Sequence, residues 1–329
     1  MKKLLNLCAI FCLLSSVNLF AGEPGSSSGA SDFHELQVLR TLTGREMPVN
    51  TIAWSPGDRY VASGAGDGTL RIWNFGDGTL FRSPVRHGES IWSLSWSSDG
   101  THLASASQDH TVCIWDVRGG RLLQVLTGHE GPVYAVAWSP NGNYLASVSD
   151  DHTVRIWDAR SGALLQTLFG HRETVWSVAW SPDGNHLASG SADETVCIWA
   201  VSDIRNAALL RTLTRHDGWV CSLAWSPDGL RLASGSTDNN VRIWDARNGA
   251  LLQTLTGHEE PIRSAAWSPD GQWLATGSED DTVRIWDARD GAFLQTLTGH
   301  RGPVWSVAWS LDGRYLATGT DESVIRIWG

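Results

Sequence analysis

The stretch His129-Glu-Gly-Pro-Val-Tyr-Ala-Val-Ala-Trp-Ser-Pro-Asn-Gly-Asn-Tyr-Leu-Ala-Ser-Val-Ser-Asp-Asp-His-Thr-Val-Arg-Ile-Trp157 is the unit from which most of this 329-residue chain is built. Its closing Ile-Trp pair recurs seven times, at intervals of 42 residues with one of 45. The seven pairs end at Trp73, Trp115, Trp157, Trp199, Trp244, Trp286 and Trp328. A fixed period of this length predicts a repeat architecture.

Each unit contains four short runs that are rich in strand-forming residues. In the quoted unit, residues 133–138 are an apolar run, and the Ser-Pro-Asn-Gly sequence at 139–142 has the residue preferences of a tight turn. Residues 143–147 and 153–157 follow as second and third strands, and residues 122–127 before the unit are a fourth. No helical periodicity separates them, which predicts seven antiparallel four-stranded sheets.

Several short motifs of the unit resemble those of the WD40-repeat family. They are the Gly-His pair at 128–129, the Ser-Pro-Asn-Gly turn, Leu-Ala-Ser at 145–147, Asp151, and the Trp-Asp pair at 157–158. The resemblance extends over residues 36–329. It implies an all-β fold, a seven-bladed β-propeller of four-stranded antiparallel blades.

The N-terminal residues of the repeat region are expected to close the ring. Residues 36–42 match the fourth strand of the other units, whereas the unit ending at Trp328 has only three strands. We expect residues 36–42 to complete that last sheet, which removes two exposed sheet edges. The resemblance implies the same closure. The fourth unit contains the only insertion, within residues 200–206, which predicts a longer loop on the outer rim of the ring.

The chain before the propeller is divided into two segments. Residues 1–21 begin with Met-Lys-Lys and continue with an apolar run, which is typical of a secretory signal peptide and predicts a secreted or periplasmic protein. Residues 22–35 are rich in Gly and Ser and are predicted to be a flexible linker. The propeller then occupies residues 36–329.

The charge and cysteine content limit the partners. The formal net charge is −10, or −12 without Lys2 and Lys3, and the basic residues form no cluster, so nucleic acid is not an expected partner. We expect a monomer whose mature chain has no stable insertion in a membrane. No structural disulfide is predicted, because Cys113 and Cys197 occupy the same strand position two blades apart.

A His, a Ser or Thr, an Asp and a Trp recur at constant offsets. A Ser-His-Asp set indicates a hydrolase only where it forms one open site, and here it is repeated, which favours a hydrogen-bond network that supports each blade. The resemblance implies the same structural tetrad. The five full sets are His87, Ser105, Asp109, Trp115; His129, Ser147, Asp151, Trp157; His171, Ser189, Asp193, Trp199; His216, Ser234, Asp238, Trp244; and His258, Thr276, Asp280, Trp286.

Details of these networks remain open in the sequence. Either Ser147 or Ser149 of the Ser-x-Ser pair could supply the hydroxyl group. The first unit has Arg45 in place of His, and the seventh has Glu322 in place of Asp, so both sets are incomplete. His110 and His152 adjoin two of the aspartates, but nothing supplies a third or fourth ligand. We interpret them as solvated turn residues and expect neither a metal nor another cofactor.

Residues that differ between units are the candidates for a binding surface. The resemblance implies that the start of each first strand, and the residue before each turn Asp, open onto the top face of the propeller. Aromatic and charged side chains there suit a protein or peptide partner, although packing against neighbouring blades is the alternative. The candidates are Trp92, Tyr134, Trp176, Trp219, Arg263, Trp305, Asp150, Glu279 and Asp321.

We therefore predict a non-catalytic scaffold that binds a protein or peptide on its top face. Two other functions remain open at this stage. The same aromatic residues could bind a carbohydrate or another small ligand, and a propeller can also hold an enzymatic site at the mouth of its channel. An enzyme would require titratable residues that break the repeat, and most of the acids and histidines here follow it.

Overall fold

The computed structural model describes residues 33–43, 47–83 and 87–329. These residues form seven four-stranded antiparallel sheets, which confirms the predicted seven-bladed propeller. In each blade the first strand is innermost, and the others follow outward in order. Across the described ranges the single helix is a 3₁₀ turn at Ile204–Asn206, and no helix is long and apolar enough to cross a membrane.

The strands of the first four blades follow one another along the chain. Blade 1 contains β2 (Val49–Trp54), β3 (Tyr60–Ala65), β4 (Leu70–Asn74) and β5 (Leu80–Arg82). Blade 2 contains β6 (Ile91–Trp96), β7 (His102–Ser107), β8 (Val112–Asp116) and β9 (Arg121–Leu126). Blade 3 contains β10 (Val133–Trp138), β11 (Tyr144–Ser149), β12 (Val154–Asp158) and β13 (Leu164–Leu168). Blade 4 contains β14 (Val175–Trp180), β15 (His186–Ser191), β16 (Thr195–Ala200) and β17 (Ala208–Thr214).

Blades 5 and 6 are also formed by consecutive strands, whereas blade 7 combines three late strands with β1. Blade 5 contains β18 (Val220–Trp225), β19 (Arg231–Ser236), β20 (Val241–Asp245) and β21 (Leu251–Leu255). Blade 6 contains β22 (Ile262–Trp267), β23 (Trp273–Ser278), β24 (Val283–Asp287) and β25 (Phe293–Leu297). Blade 7 contains β26 (Val304–Trp309), β27 (Leu316–Thr320) and β28 (Ile325–Trp328), and its outer strand is β1 (Val38–Leu42).

Burial decreases from the inner to the outer strands. Every residue of β10 is buried, whereas β13 has exposed leucines at its start. An inner strand packs against the neighbouring blades with both faces, so its sequence is almost continuously apolar. The predicted second strand at 143–147 is displaced by one or two residues. It extends to Ser149, because Ser149 pairs with Val133 at the start of the first strand.

The predicted closure of the ring is confirmed. Strand β1 pairs with β28 in the antiparallel sense, and Gln37 and Gly329 exchange two backbone hydrogen bonds beyond it. Most of the predicted linker at 22–35 lies outside the described residues, but its Phe33 is described. Phe33 packs edge-on against Trp273 at 5.2 Å, because an apolar side chain at this point can cover the gap between blades 6 and 7.

Neighbouring blades are joined by a bond that the repeat pattern does not reveal. The indole of the Trp that ends a first strand donates to a carbonyl of the preceding blade, as Trp96 does to Ala53 at 3.1 Å. Trp180, Trp225, Trp267 and Trp309 do the same, and Trp54 donates to Ala308, which connects the first blade to the last. Trp138 is the exception, because its Nε1 atom is buried without a hydrogen-bond partner among the described residues. The inner strands nevertheless contact one another around the whole ring, and the bond from Trp54 joins the first blade to the last.

The insertion in blade 4 packs against β13, the outer strand of blade 3, so it lies at the predicted outer rim. It forms the 3₁₀ turn, for which Asp203 is the N-terminal cap, and its Ile204 side chain is buried. Ile204 belongs to the same apolar cluster as Tyr144 of blade 3. The expected longer loop thus fills the gap between two blades.

We predict that closure of the ring depends on Leu42. This side chain is 4% exposed in β1, whereas Leu39 of the same strand is 58% exposed. Leu42→Ala should reduce the free energy of unfolding by about 2–5 kcal/mol, since it leaves a cavity in a buried cluster. Leu39→Ala should change it by less than about 0.5 kcal/mol. Denaturant titration of both variants tests the prediction, and equal effects would contradict it.

Candidate interaction surface

The variable residue near the start of each first strand occupies a β-bulge. In blade 3, Val133 pairs with Ser149 and Ala135 pairs with Val148, so Tyr134 is the extra residue between them. The same register shift occurs in all seven blades, at Asn50, Trp92, Tyr134, Trp176, Cys221, Arg263 and Trp305. A bulge redirects the side chain of its extra residue. The fold therefore presents seven variable side chains at one end of the inner strands.

We call this end of the propeller the top face. In blade 3 it consists of residues 129–134, which lead into the first strand, and residues 150–153, the turn between the second and third strands. The equivalent segments of the other blades complete it. The opposite end, where the first strands finish, is the bottom face.

Three of the bulged residues form a hydrogen bond with the residue sixteen positions later in the same blade. These pairs are Trp92 with Gln108 (2.9 Å), Arg263 with Glu279 (2.7 Å) and Trp305 with Asp321 (2.5 Å). The guanidinium group of Arg263 also lies over the Trp305 ring at 5.9 Å. In these three blades the bulge residue and the turn residue are thus joined. The structure places the predicted candidates Glu279 and Asp321 in two of the pairs.

The aromatic residues of the top face are more buried than the sequence predicted. Tyr134, Trp176 and Trp305 are 7%, 3% and 5% exposed, and Arg263 is also buried. Trp92 and Trp219 are half-buried. The expectation of exposure is wrong for the four buried residues, because adjacent bulges bring their side chains into mutual contact.

A continuous aromatic cluster results from these contacts. The rings of Tyr134 and Trp176 lie 4.3 Å apart, and Trp219 stacks on Trp176 at 5.9 Å. Trp92 extends the cluster beside Tyr134 and also packs near Trp305. Only parts of Trp92 and Trp219 reach solvent, so these two rings provide the accessible edge of the cluster.

Trp176 differs from its counterparts in lacking an acceptor. Its Nε1 atom is buried without a hydrogen-bond partner among the described residues. In other blades Gln108 accepts from the indole of Trp92, and Asp321 accepts from that of Trp305. The equivalent residue in blade 4 is Ala192, which has no side-chain acceptor. A buried N–H group without a partner is uncommon in native structures. The cluster therefore contains one unused donor.

The five full tetrads are assembled on the same face. In each, the histidine Nδ1 lies 2.7–2.9 Å from the aspartate and Nε2 lies 2.6–2.8 Å from the hydroxyl, which also accepts from the tryptophan. The hydroxyl of blade 3 belongs to Ser147. Ser149 instead donates to the Gly131 carbonyl.

Each tetrad carboxylate also holds the top-face segments together. Asp151 accepts from His129, from the Glu130 backbone and from Thr153. Burial alone would raise the pKa of Asp151, but these hydrogen bonds hold it well below its usual range. The pKa values of Asp109, Asp193, Asp238 and Asp280 are lowered in the same way. These aspartates remain ionised and serve as fixed acceptors.

The incomplete tetrads of blades 1 and 7 form different hydrogen bonds. Arg45 lies outside the described residues, although Trp73 still donates to Ser63 at 2.8 Å. In blade 7, His300 reaches Thr318 at 3.0 Å but makes no hydrogen bond with a carboxylate, since Glu322 is bonded to Arg326. Burial, and then the charge of Arg326, lowers the pKa of His300 to about 4.

His110 and His152 occupy equivalent turns, where both are exposed. Their φ angles are +68° and +65°, in the left-handed region. The described residues contain no group of three or more His, Cys, Asp or Glu side chains able to hold a metal ion. The backbone conformation accounts for the position of both histidines.

Comparison with known proteins agrees with this geometry. The family model described as WDR19 first beta-propeller matches residues 134–303, more than half of the chain. The model described as WD domain, G-beta repeat matches residues 36–74, 78–116 and 291–329. The chain therefore belongs to the WD40-repeat β-propeller family.

The similarity to a curated protein is local. Protein FIZZY-RELATED 3 of Arabidopsis thaliana is 37% identical over 62 residues. This segment is 19% of the present chain and 13% of the relative, so the chain matches only a small part of that protein's length. The match supports membership of the repeat family.

We predict that Glu322→Asp completes the seventh tetrad. The shorter carboxylate can accept from Nδ1 of His300, which should increase the free energy of unfolding at pH 7 by about 1 kcal/mol. In the parent protein, the lowered pKa of His300 means that the unfolded chain binds more protons between about pH 4 and 6.5. The contribution of His300 to stability is thus complete above this window and lost as the pH falls through it.

The variant should raise the pKa of His300 and flatten this part of the pH dependence. Denaturant titrations between pH 4.5 and 7.5, in steps of about half a unit, test the prediction. Glu259→Asp changes an exposed top-face acid in the same way and is the matched control. An unchanged pH profile for Glu322→Asp would contradict the prediction.

A second prediction concerns the unused donor. Trp176→Phe and Trp305→Phe remove the same atoms from equivalent bulges, but only Trp305 loses a hydrogen bond. Trp305→Phe should therefore reduce the free energy of unfolding by about 1 kcal/mol more than Trp176→Phe. Parallel denaturation curves measure the difference. A larger loss for Trp176→Phe would show that its indole N–H group has a stabilising partner.

Proposed function

We propose that the protein is a non-catalytic scaffold that binds a protein or peptide on its top face. The observation that carries the proposal is the gathering of variable residues at seven β-bulges, where they form an aromatic cluster surrounded by exposed charges. The repeat itself requires no particular side chain at these positions. Residues that vary on a rigid frame are suited to recognition.

The accessible edge of the cluster is suited to the centre of an interface. Trp92 and Trp219 are half-buried and are supported from below by Tyr134 and Trp176. Tryptophan and tyrosine contribute strongly to interfaces, since they bury a large area with few rotatable bonds. A partner carbonyl that displaced the Trp219 ring could accept from the unused N–H group of Trp176. Partner binding would then satisfy a donor that the free protein leaves unpaired.

The charge of the top face favours a basic partner. Exposed acids in its loops and turns outnumber the exposed arginines. Among the described residues, the acids are Glu89, Glu130, Asp150, Glu173, Glu194, Asp217, Glu259, Glu260 and Asp321, and the arginines are Arg172, Arg215 and Arg301. Complementary charge accelerates association and selects among partners. We therefore propose a partner segment that contains arginine or lysine residues next to an apolar side chain.

The nucleophilic groups of the tetrads support a non-catalytic role. The hydroxyl of Ser147 is fully buried and bonded to both His129 and Trp157. Burial raises the pKa of the Cys113 thiol to about 12, so it remains protonated and a poor nucleophile. Propellers of the WD40 family commonly act as interaction scaffolds. The predicted signal peptide, which lies outside the described residues, adds the proposal that binding takes place after export.

Affinity capture of partners with the purified protein tests this proposal. Trp219→Ala removes the accessible edge of the cluster, and affinity for a captured partner should fall by about tenfold or more, as for a central interface tryptophan. Trp273→Ala is the matched control, because it removes a half-buried tryptophan from the bottom face. Asp150→Asn should weaken binding most at low ionic strength, where exposed charges are least screened.

The test compares the partners that each variant captures. Loss of partners with Trp219→Ala and their retention with Trp273→Ala are expected. Retention of every partner by Trp219→Ala would refute the top-face assignment. Circular dichroism and melting curves of each variant establish that the propeller remains folded.

A further inference from the structure

Seven equivalent grooves lie between neighbouring blades on the bottom face. One wall of each groove is the first residue of a second strand, or its equivalent in blade 7. The other wall is the residue two positions after the third-strand Trp of the next blade, or Gly329 in blade 7. The Trp that ends the first strand of that next blade forms the floor. We call these the bottom grooves and name each by its two blades.

Five bottom grooves are occupied by side chains of the protein itself, although groove 6/7 keeps a cavity of about 310 Å³ beside Phe33. Phe75 packs between Tyr315 and Trp54 in groove 7/1, and Phe33 packs on Trp273 in groove 6/7. Buried Val117, with Tyr60 and Phe81, fills groove 1/2, and Ile204 fills groove 3/4. In groove 5/6 the guanidinium group of Arg231 lies over the Trp267 ring at 4.7 Å.

The remaining two grooves are open clefts. Groove 4/5 has a volume of about 840 Å³ and groove 2/3 has a volume of about 430 Å³. Each combines a histidine with an alanine: His186 with Ala246 in the first, and His102 with Ala159 in the second. Each histidine lies tilted over the floor tryptophan, with centroid distances of 6.4 Å and 6.3 Å. An alanine therefore stands where blades 1, 2 and 4 have Phe75, Val117 and Val201.

The filled grooves show which group fits an open one. Groove 7/1 contains a phenyl ring, 4.9 Å from its floor tryptophan and 4.8 Å from Tyr315. Groove 6/7 contains the phenyl ring of an extended segment, whose Leu36 backbone exchanges two hydrogen bonds of 2.9 Å with Gln295. An extended chain that inserts an aromatic ring is thus already bound by this fold, in cis.

Groove 4/5 also offers an unpaired cation. Arg211 lines the groove at the strand position that Gln295 occupies in blade 6 and Gln124 in blade 2. Gln124 donates to the Arg160 carbonyl of the next blade at 2.6 Å. The guanidinium group of Arg211 makes no hydrogen bond or ion pair with any described residue. Asp183, Asp228 and Arg247 also line the groove, and Arg247 is paired with Asp245, so Arg211 is the cation available to a carboxylate beside the inserted ring.

Apolar side chains complete the entrance to groove 4/5. Leu210 and Leu230 are 46% and 44% exposed at its edge, and the floor residue Trp225 is 5% exposed. Two exposed leucines beside a buried indole favour the insertion of an apolar ring over that of a polar group.

We propose that groove 4/5 binds an extended peptide segment of a partner protein through an aromatic side chain followed or preceded by an acidic residue. The ring enters the space between His186 and Ala246, above Trp225. The acidic residue pairs with Arg211. This site lies on the bottom face and is separate from the proposed top-face surface.

The test uses a labelled peptide with the sequence of residues 31–38, Ser-Asp-Phe-His-Glu-Leu-Gln-Val, which contains Phe33 and Glu35 of the segment that packs in groove 6/7. In groove 6/7 the peptide must compete with the tethered segment, which has the advantage of high effective concentration. Fluorescence anisotropy of the full chain should show saturable binding. A peptide with Ala in place of Phe should bind at least about tenfold more weakly.

Filling the groove provides the decisive variant. Ala246→Phe places a phenyl ring where blade 1 has Phe75, and it should weaken peptide binding by about tenfold or more while the protein melts no lower than its parent. Ala159→Phe makes the same change in groove 2/3 and should leave binding unchanged. Arg211→Gln installs the residue of other blades and should weaken binding about fivefold, with a smaller salt dependence.

The remaining outcomes are each decisive. Absence of saturable binding to the parent protein, equal binding to Ala246→Phe, or loss of binding in Ala159→Phe would overturn the proposal. Dimerisation that Ala246→Phe abolishes would assign the groove to a second copy of the chain and overturn the peptide assignment. Trp219→Ala should bind the peptide normally, so failure of the top-face proposal would not affect this one.

Discussion

The structure depends on the circular series of contacts between inner strands. A single blade buries only part of its apolar surface, and each blade obtains the rest from its two neighbours. The indole of Trp54 donates to Ala308, although these residues are 254 positions apart. Strand β1 completes blade 7 with Leu42 buried at the seam. Without this closure, blades 1 and 7 would each expose an apolar face and a sheet edge.

Closure also explains why the polar residues of the repeat serve structure. A rigid ring has no movable elements to position its top-face segments, so each blade uses its own tetrad. Asp151 joins the segment before the first strand to the turn after the second, and the His129 and Ser147 pair connects both to Trp157. Groups that could otherwise perform acid–base chemistry are thereby committed to hydrogen bonds inside the protein.

The sequence predicts those features that the repeat enforces in every copy. Seven blades, four strands in each and the borrowed strand β1 all follow from spacing, because each copy independently supports them. The bulge at Tyr134 could not be predicted, because register depends on pairing between strands rather than on either strand alone. The burial of Trp176 and Trp305 follows from that bulge. Likewise, Phe33 has no neighbours in sequence that reveal Trp273 as its contact.

The two faces of the propeller differ in whether the residues that vary belong to one blade or to two. On the top face, the bulge residue can form a hydrogen bond with the residue sixteen positions later in its own blade, as in Arg263 with Glu279 and Trp305 with Asp321. On the bottom face, the wall residues of a groove belong to different blades, so His186 and Ala246 can vary without disturbing any pair on top. Because the tetrads and indole bonds fix the frame between them, a change on one face need not alter the other. A ring of this kind can therefore acquire two binding surfaces independently.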